Sequence, residues 1–337
     1  MKHFSLALAL ALPILAGCGS GAPSQLPSLG AAQPQGVPAG TGVNVYWSLF
    51  YAGLNPQVEI AKAPLKSQSK VTDIDGNSHN LLVCANAMRF VGSKLWIMNL
   101  SPCHSYGESI VQVYSLPLKA NSAPEKTFIL SGPMFADHMA FDASGNLWVP
   151  SYVTNTVYEY DGPFDSTGTL SPSITLTHGF KTPQGLGFDS RGNLYVANTG
   201  TTNGKNAITV YKAPISNSKP YYLKGVTSPS GLTFDKSGNL FVSSNGTTGA
   251  VAEYASDHLK SGSAPTIVDS TGLAPSPYGA DLNFDAAGNL YDADCGSSPG
   301  IYSYPTATKK FSSSLKPTFY TNDTVTAIGC VWGVAAH

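Results

Sequence analysis

Four copies of one nine-residue pattern recur along the chain. They are Phe141-Asp-Ala-Ser-Gly-Asn-Leu-Trp-Val149, Phe188-Asp-Ser-Arg-Gly-Asn-Leu-Tyr-Val196, Phe234-Asp-Lys-Ser-Gly-Asn-Leu-Phe-Val242 and Phe284-Asp-Ala-Ala-Gly-Asn-Leu-Tyr-Asp292. The phenylalanines stand 47, 46 and 50 residues apart, and a looser copy, Phe90-Val-Gly-Ser-Lys-Leu-Trp-Ile97, lies 51 residues before the first. A period of this size leaves two architectures, a solenoid or a propeller. Asp-x-x-Gly-Asn is a tight turn: Asp bonds the backbone ahead of it, and Gly and Asn tolerate positive φ. It joins two short strands rich in aromatic and β-branched residues. That selects the propeller.

Each turn is followed by a third strand, at Val111–Tyr114, Val157–Tyr160, Ile208–Tyr211, Val251–Tyr254 and Ile301–Tyr304. A fourth follows shortly after Pro124, Pro172, Pro220, Pro265 and Pro317. Proline suits an outer edge, where a missing N–H costs little and discourages edge pairing. Four strands make one blade. Near the N-terminus, Asn44-Val-Tyr-Trp-Ser48 matches Asn193-Leu-Tyr-Val-Ala197, and Val58–Pro64 matches Thr209–Pro214, yet no inner strand precedes them. The missing strand is at the other end, in Cys330–His337. The expected fold is therefore all-β: a six-bladed β-propeller with four-stranded blades, closed by the C-terminal strand joining the N-terminal blade. It forms one domain, residues 42–337.

These motifs resemble NHL-type repeats and the wider group of six-bladed propellers that includes gluconolactonase-like and streptogramin-lyase-like proteins. The resemblance covers nearly the whole mature chain. It is carried by turn and core residues, so it implies fold more than chemistry. It implies a ligand site at the channel mouth. The gluconolactonase-like enzymes hold a divalent metal there, and the lyase-like ones use histidines and a Glu around Mg²⁺.

The N-terminus reads as targeting. Lys2, an apolar run from Phe4 to Leu15 and the tetrad Leu15-Ala-Gly-Cys18 resemble a bacterial lipoprotein signal, with cleavage before Cys18 and lipidation of its thiol. Residues 1–17 are the expected signal peptide, and residues 18–41, uncharged and rich in Gly, Pro, Ser, Ala and Gln, a flexible tether. The expected location is the bacterial cell envelope, extracytoplasmic and lipid-anchored. Four cysteines remain. An even number outside the cytoplasm predicts disulfides. Cys84 and Cys330 share a position at inner-strand entrances, and Cys103 and Cys295 each follow a second strand, which predicts Cys84–Cys103 and Cys295–Cys330.

With 19 basic and 20 acidic residues, the chain lacks the field of a general nucleic-acid binder and has no polybasic membrane patch. Counting four residues back from each Phe places Asn86, Asp137, Gln184 and Ser230 at the channel mouth. Trp332 holds the same place in the split blade, and Tyr278 or Asp281 in the sixth; His138 adjoins Asp137. Second strands end at Asn198, Asn245 and Asp294. The bland alternative is that these side chains bond backbone groups at strand ends. Asp and Asn oxygens make Ca²⁺ possible, although no cofactor is required. His138, oriented by Asp137 or Asp281, is the best candidate base. The reading taken is a monomeric, membrane-tethered, non-catalytic module that binds a small molecule, carbohydrate or protein at the channel face. The alternative is a divalent-metal-dependent lactonase or other hydrolase, or a lyase, with Asp137 and His138 at its centre.

Overall fold

The computed structural model describes residues 42–49, 57–66, 68–78, 81–101, 108–201, 203–245, 250–271, 273, 281–295, 299–328 and 330–337. The expected signal peptide and tether, and with them Cys18, lie outside these residues, as do Cys103 and Tyr278.

The turn motif explains itself in hydrogen bonds. Asp142 Oδ1 accepts the backbone N–H groups of Ser144 and Asn146, both at 2.9 Å. Asp189 and Asp235 repeat the arrangement, and Asp285 Oδ1 takes the N–H groups of Gly288 and Asn289. The turn glycines Gly145, Gly192, Gly238 and Gly288 have φ between +79° and +99°. Asn is there for a different reason from the one expected. It has no positive φ; its side chain bonds the turn Asp and reaches the backbone beyond the third strand, as Asn146 Oδ1 does in accepting Gly162 N–H at 3.1 Å. One residue thus ties the hairpin to the next strand.

Six sheets result, one to each blade. Blade 1 is the split one: Val331–Ala336 pairs with Asn44–Leu49, followed by Val58–Lys62 and Val71–Ile74. Blade 2 begins with Ala85–Val91, blade 3 with Ala140–Phe141, blade 4 with Pro183–Phe188, blade 5 with Pro229–Phe234 and blade 6 with Leu282–Phe284. Inner strands touch between all successive blades except 2 and 3, which meet through Lys126–Met134 against Leu147–Ser151 and Thr156–Tyr160, and blade 6 meets blade 1, so the ring closes. Asn44 and His337 exchange backbone hydrogen bonds of 2.8 and 2.9 Å at the end of the closing strand remote from Cys330. Blade 2 departs from the expected four strands. Gly168–Leu170, from the blade 3 excursion, adds a fifth strand parallel to Lys126–Met134 and covers its outer edge.

The core lies between blades. Apolar side chains of adjacent sheets form successive clusters, such as Leu186, Phe188 and Val196 against Trp148 and Val157. The third-strand tyrosines bind the blades together. Tyr160, Tyr211 and Tyr254 each donate to a carbonyl of the preceding blade, those of Ser131, His178 and Lys224, at 2.7–2.9 Å. Cys295–Cys330 is a disulfide with Cα atoms 4.0 Å apart, linking blade 6 to the closing strand. Cys84 is disulfide-bonded too. The Cys295–Cys330 disulfide points to an oxidising, extracytoplasmic environment.

Candidate functional site

The position three residues before each repeat's Phe decides what faces the centre of the ring. In blades 1, 4 and 5 it is Gly333, Gly185 and Gly231. A Cβ at Gly185 would lie 2.1 Å from the Ser230 carbonyl oxygen, and one at Gly333 2.1 Å from that of Asn86. These glycines let adjacent inner strands close up. Blades 3 and 6 carry His138 and Asp281 there instead, and their inner strands are correspondingly short, Ala140–Phe141 and Leu282–Phe284. In a ring of six, these two blades face each other. Their side chains meet: His138 Nε2 lies 4.0 Å from Asp281 Oδ1.

Asp281 is the hub of this crossing. It is fully buried and takes both guanidinium nitrogens of Arg89, from blade 2, at 2.6 and 2.8 Å. It also accepts the Val334 N–H of blade 1 at 3.3 Å. A two-pronged Arg–carboxylate pair is among the strongest side-chain contacts, because fork and acceptor match in plane and direction. Four blades are thereby joined across the axis.

A second chain of bonds orients His138. Thr199 Oγ1 donates to Gln184 Oε1 at 2.6 Å, Gln184 Nε2 donates to Asp137 Oδ2 at 2.9 Å, and Asp137 Oδ1 lies 3.2 Å from His138 Nδ1. An ionised carboxylate only accepts, so the ring hydrogen facing it is on Nδ1. In the neutral ring Nε2 is then an acceptor. It is buried and has no hydrogen-bond partner among the described residues, and the same is true of Asn86 Oδ1. The Asn86 amide nitrogen contacts the Ala136 carbonyl at 3.5 Å.

The other expected positions divide. Ser230 pairs with Ser243 at 2.9 Å, next to the channel strand. Asn198 is fully engaged in its own loop, bonding Lys181 N–H, the carbonyls of Gly179 and Asn206, and Thr209. Trp332 packs with Cys84, Leu100, Cys295 and Cys330 as an apolar cap beside the mouth. Asn245 is partly exposed at the end of its strand. Asp294 is buried on the flank toward blade 5.

Sequence reasoning missed two groups. Arg89 sits one residue before its Phe and was outside the positions counted. Asp292 stands where the other copies carry Val149, Val196 and Val242. It is buried, and its carboxyl is held well above the usual range, first by loss of solvent, then by the charges of Asp294 and Asp281. Asp269, fully buried at the end of the outer strand of blade 5, and the hydroxyl of Tyr304 complete this flank; both retain atoms without partners among the described residues. The signal for Asp292 was visible, as an acid in a core position of the repeat. Among the described residues, no three His, Cys, Asp or Glu side chains are arranged to hold a metal.

The fold and this centre define a six-bladed propeller with a polar channel. No family model and no curated protein matches the chain. Solved structures do. A protein provisionally assigned as a 6-phosphogluconolactonase from Bacteroides fragilis aligns over 85% of this chain and 82% of its own, with a TM-score of 0.56 and 10% identity. A Bacteroides caccae protein of unknown function aligns over 88% and 99%, at 0.54 and 12%. The WD40 propeller domain of Doa1 aligns over 87% and 82%, at 0.52 and 12%. At such identities the likeness is one of fold.

Proposed function

We propose that this chain is an extracytoplasmic propeller of the NHL-like kind, lipid-tethered through Cys18, that binds a small polar ligand or a protein segment at its channel face. One observation carries the reading. The charged side chains at the axis are already committed to each other, while buried acceptors, Asn86 Oδ1 and His138 Nε2, stand uncommitted beside them. A rigid ring that holds unsatisfied polar atoms at a fixed place is prepared for a guest that satisfies them. Loss of about 1–3 kcal/mol for each buried group left unpaired is what a ligand would recover.

The test uses two variants and a panel. Thermal melting is followed with carbohydrates, organic acids, amines and short peptides on wild type, Asn86→Leu and His138→Phe. A ligand at 100 times its Kd raises stability by about 2.7 kcal/mol. A hit that stabilises wild type and neither variant supports the channel site. Hits that act equally on all three reject it. For the tether, Cys18→Ser should release the protein from the membrane fraction, and an unchanged distribution rejects lipidation there.

A hydrolase is the second reading, favoured by the Asp137–His138 pair, whose order of orienting acid and acceptor nitrogen is that of a general base. The metal-dependent form would need ligands beyond the described residues. Turnover of a panel hit that disappears in His138→Phe would move the assignment to this reading.

A further inference from the structure

Two glutamates at one register position of the third strand meet different surroundings. Glu159 of blade 3 lies opposite Trp148, and Glu253 of blade 5 opposite Phe241; blade 4 carries Val210 there, opposite Tyr195. In blade 3 the turn residue Asn146 donates to Glu159 Oε1 at 2.8 Å. In blade 5 the matching Asn239 donates to Asp235 and accepts Ser256 N–H, and it makes no bond to Glu253 among the described residues. Glu253 is only 8% exposed, yet its carboxyl has no hydrogen-bond donor among those residues. Burying an acceptor of this strength is costly unless something supplies the donor.

The Glu253 side chain lines a half-open pocket of about 340 Å³ between blades 5 and 6. This is the small end of the range for ligand sites. The pocket opens on the face opposite the channel mouth, because its walls are the inner hairpin turns of both blades and residues 306–311, which follow the third strand of blade 6. Phe241, Phe284 and Phe311 form the apolar wall, with Phe241 edge-on to the other two at 5.2 Å. Lys236 closes one side by donating to the Ala286 carbonyl at 2.6 Å. Lys309 and Lys310 are exposed at the rim, in no salt bridge among the described residues. Burial, then the charge of Asp235, raise the Glu253 pKa, and the charge of Lys310 opposes them. Three lysines against Asp235 and Glu253 leave the lining with positive charge in excess.

We propose that this pocket is a ligand site separate from the channel, for a small aromatic acid bearing a hydroxyl at the end remote from its acid group. The hydroxyl donates to Glu253, the ring lies against the phenylalanines, and the acid group meets Lys309 and Lys310. Each part answers one observation. An ionised carboxyl only accepts, so its partner must donate. Aromatic walls favour a ring, in edge or offset contact. The excess positive charge attracts an anion and repels a cation, so the donor is a neutral hydroxyl and not an ammonium.

Calorimetry on the full chain tests this with para-hydroxyphenylacetate, phenylacetate, which lacks the donor, and tyramine, which carries an ammonium in place of the acid. The first is expected to bind saturably, the second at least tenfold more weakly, and the third not at all. Glu253→Val should fold, because blade 4 carries valine at this register. It is expected to weaken para-hydroxyphenylacetate by tenfold or more, the scale of a hydrogen bond to a charged group, and to leave phenylacetate within twofold. Glu253→Gln keeps the shape, loses the charge and should weaken the same probe, so a folding defect in the valine variant does not decide the matter. The pair Lys309→Ser/Lys310→Ser should weaken both acids, and Asn86→Leu, in the channel, neither. Unchanged binding of para-hydroxyphenylacetate in both Glu253 variants overturns the proposal, as does tighter binding of tyramine or binding of no probe. Binding lost in Asn86→Leu and kept in the Glu253 variants also overturns it, while supporting the channel reading.

Discussion

Removing the Cys295–Cys330 bridge with Cys295→Ala/Cys330→Ala should measure how much the ring depends on its fastening. The bridge closes a loop of 35 residues. In the chain-entropy treatment, a loop of that length removes about 13 cal/mol/K from the unfolded ensemble, or about 4 kcal/mol at 25 °C. A propeller of roughly 300 residues unfolds with an entropy of about 0.6 kcal/mol/K, so the expected fall in Tm is about 6 °C. The native ring should survive. Backbone pairing between Val331–Ala336 and Asn44–Leu49 does not involve the sulfurs, and far-UV circular dichroism should be unchanged. Urea unfolding should show a lower midpoint and a steeper slope, because the unbridged unfolded chain is more expanded. A loss below about 2 °C would refute the reasoning. It would mean that the unfolded ensemble already holds these segments together, or that the bridge strains the native ring by as much as it constrains the unfolded chain.

Three other outcomes are expected. Gly333→Ala forces a Cβ to 2.1 Å from the Asn86 carbonyl and should cost about 3 kcal/mol by urea unfolding, the upper end for overpacking. Tyr254→Phe removes a 2.8 Å bond to Lys224 O and should cost about 1 kcal/mol, whereas Tyr304→Phe, whose hydroxyl lacks a partner among the described residues, should be neutral or stabilising; equal losses would contradict the contrast. Burial, helped by Asp142 and Asp161 and opposed by the Asn146 amide, lifts the Glu159 carboxyl to about 7. The folded state then holds a proton that the unfolded state has already lost, so this residue's contribution is full below pH 4.5 and disappears as pH rises through 7. Glu159→Gln should flatten that decline and melt higher than wild type at pH 8; an unchanged pH profile would count against the shift.

The ring was legible because its unit is local. Asp142, Gly145 and Asn146 lie within five residues, and their bonds form inside one hairpin. The split blade could be read because a lone pair of strands at one end matched a lone inner strand at the other. The added strand Gly168–Leu170 could not, because three residues without an alternating pattern pair only where a neighbouring edge happens to be open. Counting back from each Phe found Asp137 and Gln184, which touch as neighbours in adjacent blades. It missed Arg89, whose partner Asp281 lies 192 residues away across the axis. Such a contact depends on the diameter of the closed ring, which no single repeat encodes. Asp292 was different: its departure from valine was in plain view, but the departure has meaning only once the position is known to be buried.

The pairing of Asn44 with His337 puts both ends of the ring on the same face. Both residues lie at the end of the closing strand opposite Cys330 and Trp332, which flank the channel mouth. Anything joined to the ring through residues before Asn44, or fused after His337, leaves from the underside. A rigid attachment made at Asn44 or His337 would meet the face of the ring opposite the mouth. A tag or sensor tip attached at His337 therefore leaves the opening clear, and a bulky partner that blocks ligand uptake must reach it over the rim.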